Sequence, residues 1–450
     1  MTAPPTIASA TEPDGASRLT SLDILRGVAI LGILFMNIND MGRSFSNPDI
    51  RTLGWTAADQ IAWWLRAILA DGTARAMLEM LFGAGMVILT DRLSHAAEDD
   101  EGLVLQRYYW RNAVLWVFGI IHMVVLLWPG DILHTYAIAA MLAFWFRRLP
   151  PRWLLTLGLA GAVLQLGGAG YWGVYAPLQA RAEVTALTAR RDAGIPLDAT
   201  QRATLARAAE RAATRARAVA DHAAIVAAED AARSGTTADW IGAQTAKSIE
   251  RLGFGEIFSI LEAATTMLIG AALFRLGILQ GNRSRRFYAR LTLAAYGVGL
   301  SLRAWGAYEV TRFTDAPQWN WATSEIARLA TTLGHIGAIH LLLSTLLGAR
   351  LLRPFAAAGR TALTLYVLQT IVLLWILFPP FGFALYGRLD WMPMMLVCVA
   401  VDLALLGVAV VYVRHFRIAP VEWAWRSIVE RRRLPFCHVE SGASGSGGGI

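Results

Sequence analysis

Lysine is nearly missing from this 450-residue sequence: Lys247 is the single one, and arginine supplies the rest of the 41 basic residues. Charge of either sign is scarce, at 16% of positions, against about 25% in soluble domains. That shortfall excludes an ordinary water-exposed surface. Cysteine is limited to Cys398, in an apolar run, and Cys437, near the C-terminus. No disulfide framework and no thiolate metal site follow. The sequence has no P-loop, no Rossmann glycine fingerprint and no His-Glu-x-x-His pair, and the His122 to His134 spacing is not a usual zinc pattern. No metal is expected. Residues 1–17 are polar and lack a charged n-region, which excludes a cleaved signal peptide and reads as a disordered leader.

What is abundant is hydrocarbon. The chain is 56% hydrophobic with a mean hydropathy of +0.45. Apolar runs of about 20 residues recur, each long enough to cross a bilayer. The expected fold is all-α and polytopic: ten transmembrane helices in two five-helix halves, 18–177 and 255–433. The spans fall near 22–38, 73–91, 112–128, 131–146 and 152–176, then 255–280, 287–308, 322–349, 361–379 and 393–413. Residues 55–70 read as an amphipathic interfacial helix anchored by Trp55, Trp63 and Trp64. Between the halves, 178–254 turns Ala-, Arg- and Glu-rich, with a break at Gly194-Ile-Pro-Leu197. It reads as a polar helical hairpin outside the membrane. Residues 434–450 form a Gly/Ser-rich flexible tail.

The pI of 9.8 does not signal nucleic acid. The arginines crowd alternate short loops, at 147–152, 283–286 and 350–353, and again in the 414–433 tail. Arginine-rich loops stay in the cytoplasm, so both termini are expected there, in a bacterial inner membrane, with the hairpin on the opposite side.

Ionisable residues within spans mark sites, because each costs roughly 3 kcal/mol unless paired or wetted. The tightest constellation is Asp131-Ile-Leu-His134 with His122 nine positions upstream, across a turn between two spans. An acid and two imidazoles are thus brought close by local geometry alone. His122, Asp131 and His134 are the candidate catalytic set. Arg75, Glu79, Tyr136, Glu262, Gln369 and Asp402 are the candidate acceptor-binding set, and Arg26 and Arg360 are placed to attract an anionic co-substrate. Bland alternatives stand beside these: Arg75–Glu79 and Glu325–Arg328 are spaced to neutralise each other along one helix. His335 and His340 read as core histidines. By depth, the polar residues form a mixed-charge chamber expected to open to the outer leaflet, with His122 near mid-membrane as its floor.

Several segments carry a resemblance. They are Leu22-Asp-Ile-Leu-Arg-Gly27, Leu81-Phe-Gly-Ala-Gly85, Gly119-Ile-Ile-His-Met123 with Gly130-Asp-Ile-Leu133, Met267-Leu-Ile-Gly270, Gly359-Arg-Thr-Ala-Leu-Thr-Leu-Tyr366 and Phe416-Arg-Ile-Ala-Pro-Val-Glu-Trp-Ala-Trp-Arg426. In this order they resemble the bacterial YeiB-like membrane proteins. The opening Leu-Asp-x-Leu-Arg-Gly is also similar to the start of two membrane acyltransferase groups, the lysosomal heparan glucosaminide N-acetyltransferases and enzymes that acylate bacterial surface sugars. That likeness implies transfer of an acyl group from cytoplasmic acyl-CoA to a sugar-like or amine acceptor on the far side. Three features depart from these patterns. No histidine lies between Met36 and Ala70, where the acyltransferases place an essential one; Leu365 stands for a family asparagine; and Arg75 lies near the position of an expected lysine.

The resulting expectation has His122 as general base, with its ordinary pKa near 6.5 suited to the role. Asp131 or Asp402 would orient it, and Tyr136 or Gln369 would donate to the oxyanion. Membrane lipids and a small-molecule or glycan acceptor are the expected partners, and small-residue faces leave a homodimer open. The competing expectation is a transporter or flippase for an amphiphile, since two five-span halves with buried charge suit alternating access.

Overall fold

The computed structural model describes residues 14–96, 100–253, 255–314 and 316–437. Most of the expected leader and tail lies outside these residues. The described chain is helical throughout, with one isolated bridge between Phe416 and Cys437 and no named strand. It is a polytopic helical membrane protein. Among the described residues, six helical segments are long and apolar enough to cross a bilayer: Thr20–Gly42, Ala57–His95, Pro151–Asp192, Gly255–Arg275, Asn320–Leu343 and Trp391–His415. The pair Leu346–Arg360 and Ala362–Leu377, bent by 79°, is a broken span or a re-entrant loop, and makes a seventh if counted as one span. The other three expected spans are helices too, Glu101–Val124, Leu133–Ala143 and Arg285–Thr311, but charge or shortness keeps them below that apolar threshold.

The elements that frame the centre are α1 (Asp14–Gly32), α2 (Leu34–Gly42), α3 (Ala57–Leu65), α4 (Thr73–Ala96), α5 (Glu101–Val124) and α6 (Leu133–Ala143). After α7 (Pro151–Gly168) a π-helical stretch, Ala169–Tyr175, carries the chain straight into α8 (Ala176–Asp192). The expected fifth span therefore does not stop near 176. It continues as the first arm of the hairpin, and α9 (Ala199–Ser234) is the second arm. The lead-in at Trp240 is a full helix, α10 (Thr237–Arg251). Then follow α11 (Gly255–Arg275), α12 (Arg285–Thr311), α13 (Asn320–Leu343), α14 (Leu346–Arg360), α15 (Ala362–Thr370), α16 (Trp391–His415) and α17 (Pro420–Val429).

Glycine sets how closely these helices approach. A Cβ on Gly83 would lie 1.8 Å from the Met267 carbonyl oxygen, and one on Gly270 would lie 1.9 Å from that of Met80. Helices α4 and α11 thus cross backbone against backbone. Gly27 and Gly359 do the same for α1 and α14, at 1.9 Å from Phe355 O and 1.8 Å from Asp23 O. Without a hydrophobic drive between helices in lipid, such close approach supplies the packing energy.

The hairpin is docked, not loose. Arg233 of α9, 1% exposed, donates to the carbonyls of Asp40, Met41 and Arg43 at the end of α2 and lies against the rings of Phe45 and Tyr386. Those carbonyls are ones the helix end leaves without intrahelical partners. Glu229 accepts from Ser44 Oγ at 2.7 Å and from Phe45 N at 2.9 Å. Burial pushes the Glu229 carboxyl up, but these hydrogen bonds and Arg233 outweigh it and hold it below the ordinary glutamate range. The 55–70 segment differs from expectation in one respect: Trp63 is buried, packed edge-on against Trp55 and Trp64, so it anchors to protein and not to lipid. Asp59 of the same segment accepts from the Met392 N–H at 3.0 Å.

Two outcomes follow. Gly83→Ala should destabilise the protein by about 1–3 kcal/mol through forced separation of α4 and α11. Gly85→Ala, where the added Cβ meets nothing within 4 Å, should not; thermal unfolding in detergent reads both. Separately, a carboxyl held low in the folded state stabilises above its unfolded pKa and loses that contribution as pH falls through its folded pKa. Amide exchange in α9, corrected for intrinsic rate, should therefore accelerate on acidification, and Glu229→Gln should remove that dependence.

Candidate functional site

Helix α5 ends at Val124, so His122 sits in its last turn. The chain then turns through Trp128-Pro-Gly130 and enters α6. Asp131 stands at the pivot. Its Oδ1 accepts from His122 Nδ1 at 2.8 Å, and its Oδ2 accepts from His134 Nδ1 at 2.8 Å and from the His134 backbone N–H at 3.0 Å. All three side chains are at most 2% exposed. Gly119 makes the approach possible: a Cβ there would come within 2.3 Å of His134 N and 2.7 Å of Asp131 Oδ2.

The second ring nitrogens are also engaged. His122 Nε2 lies 2.9 Å from Thr370 Oγ1. His134 Nε2 lies 3.4 Å from Glu256 Oε1, which also accepts from the Thr135 hydroxyl. With Nδ1–H committed to the carboxylate, neutral His122 presents Nε2 as an acceptor, so the Thr370 hydroxyl donates to it. The result is a hydroxyl, imidazole, carboxylate series, with the imidazole held in one tautomer by the acid. Tyr366 packs its ring 4.8 Å from that of His122, and its hydroxyl accepts from the Ile132 N–H at 3.2 Å. Thr370 ends α15 just before the π-helical Ile371–Leu377.

The expected opening toward the hairpin side is not what the structure has. Helix α10 lies over the 123–128 turn: Gln244 donates to the Leu127 carbonyl at 3.1 Å and Ser248 to that of Met123 at 3.3 Å. Helix α5 starts before the expected span and ends at Val124, so His122 lies in its last turn, beside this cover. The accessible space lies on the opposite side. A cavity of about 350 Å³ runs from Arg26, Arg111, Arg360, Arg417 and Arg426 up to Tyr136, Ile132 and Tyr366. Five arginines face two lining carboxylates, Asp23 and Glu422, both partly committed. Asp23 pairs with Arg26 at 2.9 Å, and Glu422 caps the start of α15 through the Leu363 N–H at 2.7 Å. Arg111 lies over the Trp425 ring at 4.8 Å. The upper walls are apolar, including Ile30, Leu78, Phe82 and Leu115.

The remaining expected site residues divide. Arg26 and Arg360 share this cavity, and Tyr136 lines its upper end. Arg75, Glu79 and Glu262 do not reach His122. They belong to a separate buried network centred on Arg328, which bonds Glu79 at 2.9 Å, Glu262 at 2.9 Å and Glu325 at 2.7 Å. Arg75 joins Glu79 at 3.5 Å and contacts Glu262 directly. The two intrahelical pairs read from sequence are thus both present and cross-linked. Tyr136 bridges the two regions by donating to the Arg75 carbonyl at 3.1 Å. Gln369 reaches α1 instead, donating to the Ile30 carbonyl at 3.0 Å, and it also donates to Asp402 at 3.4 Å. Asp402 therefore does not orient His122; Asp131 does. Sequence reasoning passed over Thr370 and Glu256 as site members, and missed Arg111, Arg417 and Arg426 as cavity residues. Tyr366 stood in a quoted motif, but only its distance from His122 reveals its position.

Fold and site together define a polytopic helical membrane protein with a sealed Asp-His pair above an arginine-rich cavity. Residues 273–432 match the family described as "Protein of unknown function (DUF418)". The chain is 27% identical over 439 residues to "Uncharacterized protein YeiB" of Escherichia coli (strain K12), covering 93% of this chain and 98% of that one. It is 26% identical over 435 residues to "Uncharacterized protein YxaH" of Bacillus subtilis (strain 168), covering 91% and 94%. The family match and the near full-length likeness to both proteins support a YeiB-like, DUF418 assignment. No solved structure matches it.

Arg328 is bonded to three carboxylates inside the bundle. Arg328→Met should destabilise the protein by about 3–5 kcal/mol, the cost of leaving buried charge unpaired. Wild-type unfolding behaviour in that variant would mean the network is solvated in the membrane.

Proposed function

We propose that this protein is a membrane-embedded acyltransferase. It would draw an anionic acyl donor of the acyl-CoA type to the arginine-rich end and pass the acyl group to a hydroxyl or amine activated by His122. The observation that carries this reading is the shape of the 350 Å³ cavity: cationic at one end, apolar along its walls, and closed by Tyr366, whose ring rests on His122. Its volume falls in the range of ligand sites. Arg26, Arg360 and Arg426 are the residues that would hold phosphates, which guanidinium groups bind in paired fashion.

The acyl thioester supplies the carbonyl carbon to be attacked. His122 Nε2, with Asp131 fixing its tautomer, accepts the proton of the incoming hydroxyl or amine as the new bond to the carbonyl carbon forms. The thiol leaves as the carbon–sulfur bond breaks, and the imidazolium returns the proton to it. For this, Thr370 must yield its place at Nε2 and Tyr366 must swing aside. The acceptor would be a sugar-like or amine group of the cell envelope. Arginine-rich loops facing the cytoplasm put both termini inside and the hairpin outside a bacterial inner membrane.

The buried Arg75, Glu79, Glu262, Glu325 and Arg328 network supports a second reading, a transporter or flippase for an amphiphile, because charge at that depth also suits alternating access. The two separate on one assay. Inverted vesicles given radiolabelled acetyl-CoA should transfer label to an envelope fraction. His122→Ala should abolish the transfer and Asp131→Asn should lower it by roughly 10²-fold or more, at unchanged expression. Full activity in His122→Ala would remove the proposed base; no labelling together with solute movement would favour transport.

A further inference from the structure

A second cavity, of about 580 Å³, lies at the same arginine-rich end but among different elements. It is bounded by the start of α1, the 276–284 loop, the first turn of α12 and the last turn of α13. Arg283 and Arg285 line it, together with Asn282, Gln280 and His340, and among the described residues no carboxylate does. His340 is 6% exposed and stacks on Tyr288 at 4.7 Å, with its Nδ1 edge beside Gly281. Its Nε2 has no hydrogen-bond partner, and neither does Gln280 Oε1. The Gln280 amide nitrogen is held by the Phe274 carbonyl at 2.7 Å, which leaves Oε1 as its unpartnered end.

Loop arginines at this end need no explanation beyond membrane orientation. The two orphaned buried atoms do, because each costs about 1–3 kcal/mol if nothing outside the chain satisfies it. In the tautomer with the proton on Nδ1, Nε2 accepts, as Oε1 does. Two acceptors beside two guanidinium groups therefore match a ligand that carries both negative charge and hydroxyl donors. We propose that this cavity binds a hydroxylated phosphate ester of the glycerol phosphate class, its phosphate on Arg283 and Arg285 and its hydroxyls on His340 Nε2 and Gln280 Oε1. The adjoining α14 exposes Leu346, Leu347 and Leu351 at 84%, 68% and 63%. Such a flank suits the headgroup of an anionic lipid. The same headgroup chemistry also occurs in soluble glycerol phosphate. This site is independent of the acyltransferase reading.

The test uses the full chain in phosphatidylcholine nanodiscs, with and without phosphatidylglycerol, and in parallel with soluble glycerol phosphate. Native mass spectrometry and thermal unfolding are the readouts. Wild type should retain phosphatidylglycerol and gain stability from it. Arg283→Gln with Arg285→Gln, and separately His340→Phe, which preserves stacking on Tyr288, should each weaken retention by roughly tenfold, the scale of a lost charge-assisted hydrogen bond. Binding of soluble glycerol phosphate in phosphatidylcholine discs, lost in the same variants, would assign the site to the free ester. Equal phosphatidylglycerol retention by wild type and both folded variants, with no glycerol phosphate binding, would overturn the proposal.

Discussion

A carboxylate without exposed surface, at the end of a membrane helix hairpin, must have every oxygen satisfied or it will not remain charged. Asp131 meets this with three donors, two from imidazoles and one from backbone. The surrounding arrangement follows from that need. Gly119 has no side chain because a methyl would collide with Asp131 and His134. The α5–α6 turn has its tight Trp-Pro-Gly form because His122 and His134 must reach one acid from two sides. Helix α10 closes over the turn and binds its carbonyls, so water is kept from the hydrogen bonds that stabilise the charge.

Enclosure at one end makes access at the other the functional question. The arginine-rich cavity rises to Tyr366 and stops one ring short of His122. A reaction at His122 therefore requires a local change, and the local structure offers one. Thr370, the residue bonded to Nε2, ends α15 where the helix loosens into a π turn, a feature frequent at functional sites. Glu422 holds the other end of α15 through two backbone N–H groups. One short helix thus connects Glu422 of α17, the helix that carries Arg426, to the hydroxyl on His122, and movement of α17 would be felt there.

The ion network around Arg328 serves a different purpose from the one its residues suggested in isolation. Two arginines and three glutamates from α4, α11 and α13 pair with one another and leave one formal negative charge over. They fix the register of three helices whose surfaces otherwise offer small residues and methyl groups. Arg75, Glu79 and Glu262 were legible as buried charges, but not as neighbours of Arg328, because their separations of 66 to 253 residues from it carry no periodic signal.

The amino-acid order determined the helical membrane fold, the polar hairpin and the Asp131 constellation. Each of these rests on local facts: twenty apolar residues span hydrocarbon, polar helices cannot, and a tight turn brings near neighbours together. Tertiary structure decided the rest. Whether Asp131 or Asp402 orients His122, which hydroxyl it meets, and which end of the site is sealed all depend on how helices distant in sequence cross. Those crossings are set by glycine contacts such as Gly83 with Met267 and Gly27 with Phe355, where a missing side chain acts on a backbone hundreds of residues away and leaves no trace in the local pattern.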